Sequence, residues 1–348
     1  RSLVGSEMCI RDSCHKYPFK VEAENYFITR STESIGIGMS SSQAVTDFLT
    51  SISAAEELIK GSGLLPKGTS DIDDRAIGFM QNGVATSLFS AFEDFLWERS
   101  REVASSLSSI PIPKSSLPSS LIQLIEVQSV RVLGTQLSNQ KLRELSARPV
   151  EDFASTWNGS KTAVGIPHSC FVWTGSNANS DDVLRPLKGL GAAEKWDDLV
   201  SVVTLLGTNL SWPTKEVFEG IADIRHHAAH SPTGISLVEL RPIPQSLRFL
   251  AFSYDSLLSS AGFKLKNGII PDKKGRRGID LIRIEQSSNG KLKFCKDAFK
   301  PRERGSHSIK VERKGQFAAE LRNKGFTVVE VRRESQQEVD IIDWWSPV

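Results

Sequence analysis

The sequence predicts a mainly α protein, a helical bundle followed by a small α+β module. Three observations carry this. Apolar residues recur at helical spacing through most of residues 43–262. After Phe263 the pattern changes to short runs that alternate apolar and charged residues. Over residues 264–314 the charge also shifts, with 16 Lys and Arg against 6 Asp and Glu, a net of +10. A partition into residues 1–13, 14–80, 81–262 and 263–348 follows from these breaks.

The chain has 348 residues, 39% of them hydrophobic and 24% charged, the composition of an ordinary globular protein. No apolar run approaches the roughly 18 residues that a membrane span requires. Cys9, Cys14, Cys170 and Cys295 are scattered without zinc-ligand or CxxC spacing, which fits a reducing cytoplasm. Residues 1–13 (RSLVGSEMCIRDS) begin without Met and resemble a translated sequencing-adapter fragment, so they are expected to be a non-native scar.

Residues 15–39 alternate loosely and predict a strand or ordered arm. A helix is expected over residues 43–60, because Ser40–Ser42 offer N-caps and Val45, Phe48, Leu49, Ile52 and Leu58 share one face. The polar run 67–75 reads as a loop. Residues 81–108 give the strongest helix, with Val84, Leu88, Phe92, Phe95 and Leu96 on one side and Phe89 and Trp97 widening it. Glu93, Asp94 and Glu98 then fall on its solvated side. The Ser/Pro run 108–120 separates it from one long helix or two over residues 121–157, broken at Pro149.

Residues 158–180 read as a loop, in which His168 and Cys170 make a weak metal-site candidate. Residues 181–207 are helical with an interruption at Gly189 and Gly191. A last helix of this region covers about residues 244–260. Beyond it, residues 279–286 and 291–295 flank Asn289-Gly290, a hairpin signal. Residues 315–324 read as a helix, and 326–332 and 339–345 as strands.

The chemistry concentrates in residues 218–232 (FEGIADIRHHAAHSP), where three of the chain's six histidines fall within five positions. Val217, Ile221, Ile224 and Ala228 form the apolar stripe of a core-facing helix. At about 100° per residue, His226 and His230 lie roughly opposite that stripe with Asp223 beside them, and Arg225 sits roughly 140° around from His230. Pro232 ends the helix just after His230. His exchanges protons near neutral pH, and Arg is the permanently charged fork that grips phosphate. Together they point to acid–base chemistry on a phosphodiester. A metal site on His226 and His230 at i, i+4, with Asp223, is an alternative, as is a solvated helix end that binds RNA or protein without cleaving anything.

Arg225-His226-His227-Ala228-Ala229-His230 resembles the R-x4-H signature of HEPN ribonucleases, in which Asn, His or Asp follows the Arg. The helical surroundings are most similar to the RiboL-PSP branch, over about residues 81–262. The resemblance implies a metal-independent endoribonuclease without a cofactor, built on an HEPN-like bundle. It makes His230 the acid/base, Arg225 the phosphate clamp and His226 an assisting group, with His227 and Asp223 in support. It further implies a homodimer whose two motifs share a cleft, and a toxin–antitoxin or antiviral setting with an antitoxin or other regulatory protein as partner. Lys273, Lys274, Arg276 and Arg277 in the basic C-terminal segment are the candidate RNA contacts.

Overall fold

The computed structural model describes residues 42–61, 71–108, 112–138, 166–171, 173–175, 177–207, 214–270, 279–286, 292–296, 308–309, 314–333 and 339–347. The first helix, α1 (Gln43–Lys60), starts where Ser42 accepts a hydrogen bond from the Val45 backbone and stops at Gly61. It buries Val45, Phe48 and Ile52, as the spacing predicts, with Leu49 partly buried; Ile59 takes the inward place expected of Leu58, which is exposed. Helix α2 (Asp71–Ser108) is 38 residues long, about 57 Å at the usual rise. Its first turns correct the expected loop over residues 67–75, because Asp71–Arg75 are helical. In the Pro-containing run that follows, Lys114–Ser116 form a 3₁₀ turn, and α3 (Ser119–Ser138) comes next. The break expected at Pro149, and the arm over residues 15–39, lie outside the described residues.

A 3₁₀ turn at His168–Phe171 leads to α4 (Ser180–Gly189), which Asn179 and Asp182 start with a reciprocal capping box. Helices α5 (Trp196–Thr204), α6 (Lys215–His230), the single turn α7 (Leu237–Leu240) and α8 (Ile243–Lys266) complete the bundle. Phe48, Phe89, Phe92, Phe95, Phe218, Phe249 and Phe252 are fully buried in one core. Among the described residues, no helix is long and apolar enough to cross a membrane.

The chain then turns to strands. β1 (Asp280–Gln286), β2 (Leu292–Lys296) and β3 (Ser308–Ile309) run antiparallel in sequence, as the Asn-Gly signal predicts for the first pair. After α9 (Lys314–Asn323), β4 (Phe326–Arg333) returns parallel to β1, and β5 (Val339–Trp345) closes the edge antiparallel to β4. The order in the sheet is β3-β2-β1-β4-β5. The fold is therefore mainly α with a small α+β C-terminal module.

That module shares its core with the bundle. Val329, Val331, Val339, Ile341 and Trp344 of β4 and β5 belong to the same buried cluster as the aromatic residues of α1, α2 and α8. The opposite face of the sheet packs Ile282, Ile284, Val328 and Trp345 on Ala318 of α9. Helix α8 is consequently buried along almost its whole length, its polar residues Ser253, Asp255, Ser256 and Ser259 included. The described residues all fall in one compact unit, Met39–Val348.

Asp343 pairs with Glu330 across β4 and β5, on the face that Lys314 of α9 approaches. Burial first, and then the Glu330 carboxylate, push the Asp343 carboxyl up to about 6, against the pull of the Trp344 N–H and Lys314. Its folded value exceeds its unfolded one, so the stability it contributes is complete below the unfolded value and is lost as pH rises through about 6. Asp343→Asn is therefore expected to be about 1–3 kcal/mol more stable than the wild type at pH 8, allowing for partial exposure, with no gain at pH 4. Urea unfolding of both proteins at the two pH values measures the difference.

Candidate functional site

Helix α6 begins at Thr214, whose hydroxyl accepts a hydrogen bond from Val217 N, and an ion pair of 3.3 Å joins Lys215 to Glu219 one turn on. Its inner face is centred on Phe218, Ile221 and Ala228, with Val217 and Ile224 partly buried at the margin. The stripe is thus rotated towards Phe218, which the spacing of the aliphatic residues does not single out. The cause is aromatic: Phe218 packs 5.9 Å from Phe89 and 6.1 Å from Phe92 of α2, and stacks 5.5 Å from Trp196.

The expected polar face is present. Asp223, His226 and His230 are exposed, and the two imidazoles lie side by side with ring centroids 4.7 Å apart. None of the three makes a hydrogen bond or ion pair among the described residues. His227 behaves differently, with its Nε2 3.4 Å from the Thr233 hydroxyl and its ring near the Glu239 carboxylate. That carboxylate is held below the usual range by hydrogen bonds from the Ser236 hydroxyl and backbone, and His227 adds to the effect. Arg225 is half-buried, and its Nε is enclosed without a hydrogen-bond partner. Arg225 and His230 thus occupy different faces of one helix, as the angular spacing predicts.

The helix ends as Pro232 predicts. Ser231 is extended, and its N–H returns to the His227 carbonyl at 2.8 Å. What fixes the turn beyond is Asn82 of α2, which is almost fully buried. Its side-chain amide donates to the carbonyls of Ser231 and Thr233 at 3.1 and 3.2 Å and accepts from Ile235 N at 3.0 Å. Backbone approaches backbone beside it: a Cβ on Gly234 would lie 2.5 Å from the Gly78 Cα, so the crossing requires glycine. The sequence reading misses Asn82, although an amide on the side of α2 that carries Ala85 and Phe89 is the signal for it. Asn82→Ala is expected to cost about 2–3 kcal/mol, because it orphans a buried N–H and frees two carbonyls. Urea unfolding measures it, and a loss under about 0.5 kcal/mol would mean the turn holds without the clamp.

Glu93 also departs from its expected place on a solvated side. It is half-buried, accepts from Ala178 N at 2.6 Å, and feels the charge of Arg225. Asp94 is exposed, as predicted.

The metal alternative gains little from the geometry. His168 sits edge-on to Trp97 at 5.1 Å, and Cys170 is fully buried, with burial pushing its thiol well up. Among the described residues no three His, Cys, Asp or Glu side chains come together as metal ligands. Lys273, Lys274, Arg276 and Arg277 lie outside the described residues.

Two open grooves mark the surface, and neither includes Arg225, His226 or His230. One of about 500 Å³ between α1 and α2 is lined by Asp47, Asp94, Glu98 and Glu102, carboxylates that would repel a polyanion. The other, about 420 Å³, lies where α5 and α6 begin and mixes Lys188, Lys195 and Lys215 with Asp181, Glu194 and Glu216. The polar face of the Arg–His segment, with Asp223, His226 and His230, is exposed. No known protein family, curated protein or solved structure matches the chain.

Proposed function

We propose that the protein is a metal-independent endoribonuclease of the HEPN type, acting in the cytoplasm. The observation that carries this reading is the exposed His226–His230 pair at 4.7 Å, at the end of the helix that also carries a half-buried Arg225 and is anchored in the shared core. In the reaction one histidine takes the proton of the ribose 2′-hydroxyl as its oxygen attacks phosphorus. A second gives a proton to the departing 5′-oxygen, and Arg225 balances the charge of the phosphorane. His230 is the principal acid/base and His226 assists it. The products are a 2′,3′-cyclic phosphate and a 5′-hydroxyl.

Homodimerisation completes the site in this reading. Arg225 and His230 diverge on one helix, so a second copy supplies the facing wall. The basic C-terminal segment, with Lys273, Lys274, Arg276 and Arg277, adds salt-sensitive affinity for RNA. A toxin–antitoxin or antiviral setting, with an antitoxin or other regulatory protein as partner, follows from the resemblance. The open face also supports a second reading, a module that binds RNA or protein without cleaving.

RNA cleavage in excess EDTA, wild type beside Arg225→Ala and His230→Ala, tests the reading. Cleavage that survives chelation and falls by about 100-fold or more in both variants is the expected result. Activity lost to EDTA moves the assignment to a metal site on His226 and His230. Salt-sensitive binding that both variants keep, without cleavage, leaves the binding module.

A further inference from the structure

His230 is the last helical residue of α6. The last carbonyls of a helix lack intrahelical partners, so the closing turn is its weakest part. His226 and His230 add to that weakness, because like charges at i, i+4 repel whenever both rings are protonated. The proposed chemistry nevertheless requires the two imidazoles in register, 4.7 Å apart. A tie from outside α6 has to keep them so.

Two ties meet the chain just past His230. One lies at the surface, where the Thr233 hydroxyl is 2.6 Å from the Ser231 hydroxyl and 3.4 Å from His227 Nε2, open to competing water. The other comes from the core. Asn82 of α2 is 6% exposed, and its amide donates to the carbonyls of Ser231 and Thr233 at 3.1 and 3.2 Å. Its oxygen accepts from the N–H of the buried Ile235 at 3.0 Å. Hydrogen bonds shielded from water are the costlier to break, so this second tie is the stronger. One turn earlier on α2, Gly78 lies against the backbone of Gly234, which leaves the turn no room to shift towards α2.

We propose that Asn82 is the positioning residue for His230: clamped on the carbonyls of Ser231 and Thr233, it keeps the last turn of α6 closed and holds the His230 imidazole in register with His226. The inference rests on the ribonuclease reading of that pair, and Asn82 acts only through the turn. Without the clamp His230 leaves the helix end, while Arg225, five residues further in, keeps its place. A misplacement of about 1 Å in a reacting group costs on the order of 100-fold in rate. The loss is therefore expected in turnover and not in the grip on RNA.

The test is amide hydrogen exchange and NMR on the full chain, beside RNA cleavage. In the wild type the Ser231 amide is expected to exchange at least about 100-fold more slowly than in a free peptide, and the His226 and His230 rings to show a nuclear Overhauser contact. In Asn82→Ala the protection is expected to fall by at least about tenfold, the ring contact to vanish, and kcat to fall by at least about tenfold with KM within about twofold. Ile52→Ala, which opens a cavity in the core beneath α1, is expected to change none of these. A Ser231 amide that exchanges at the free-peptide rate in the wild type overturns the proposal, and that result needs no variant to fold. An Asn82→Ala protein that keeps the ring contact or the wild-type kcat overturns it too, as does a loss that Ile52→Ala shares. Loss of the protection and the ring contact in Asn82→Ala, in a protein that cleaves no RNA, upholds the positioning role and sinks the ribonuclease reading instead.

Discussion

Asp255→Ala is expected to destabilise the protein by about 3–5 kcal/mol, the scale for breaking a buried ion pair from one side. Asp255 is fully buried on α8. Its Oδ1 accepts from Arg99 Nε at 2.5 Å and from the Ser259 hydroxyl at 2.5 Å, and its Oδ2 accepts from the Trp344 indole at 2.8 Å. Arg99 has Glu102 as a second partner at 2.6 Å, but it is itself almost fully buried. Removing the carboxylate therefore orphans both a guanidinium N–H and an indole N–H away from water. Urea unfolding at constant m measures the cost, and a loss below about 1 kcal/mol would show that water or Glu102 compensates. Replacing Arg99 and Asp255 together by Met and Leu is expected to cost less than Asp255→Ala alone, since no fully buried charge then remains unpaired, and Glu102, which loses Arg99, is partly exposed and still accepts from Ala44 N.

Trp344→Ala is expected to cost a similar amount, about 3–5 kcal/mol. Trp344 is fully buried where β5 meets the bundle, with its ring centroid 6.4 Å from Phe48, 6.3 Å from Phe95 and 6.0 Å from Phe252. Truncation empties that junction and leaves Asp255 Oδ2 without its donor. Because the two residues share a hydrogen bond, the double variant Trp344→Ala/Asp255→Ala is expected to lose less than the sum of the single losses. The wild type should also unfold in one transition by far-UV circular dichroism and by Trp fluorescence. Two separated transitions would mean that the sheet and the bundle melt independently in spite of their common core.

Much of this architecture is legible in the chain. The bounds of α1 follow from Ser42, Gly61 and an apolar stripe, and the end of α6 follows from Pro232. Strands β1, β2, β4 and β5 follow from their alternation and from Asn289-Gly290, whereas the two-residue β3 has no such signal. Local signals suffice in these places because capping, proline sterics and hydrophobic period act within a few residues. The exposed His226–His230 pair is local in the same sense, since helical geometry alone brings positions i and i+4 together.

Long-range pairing is what the sequence could not supply. Nothing in residues 81–108 distinguishes Glu93 from Asp94, yet packing of α2 against α6 and the segment before α4 buries one and leaves the other in water. Nothing near Arg99 names Asp255, which lies 156 residues away, or Trp344 beyond it. By itself the sequence determined most of the helices and strands and the exposed faces on which the candidate side chains lie. Only the tertiary structure decided that the polar side of α8 is buried beneath β5, that β1 and β4 run parallel, and that Asn82 holds the turn after the Arg–His segment. The physical reason is that a side chain's burial and partners depend on which distant surface covers it, whereas its secondary structure depends mainly on its neighbours in the chain.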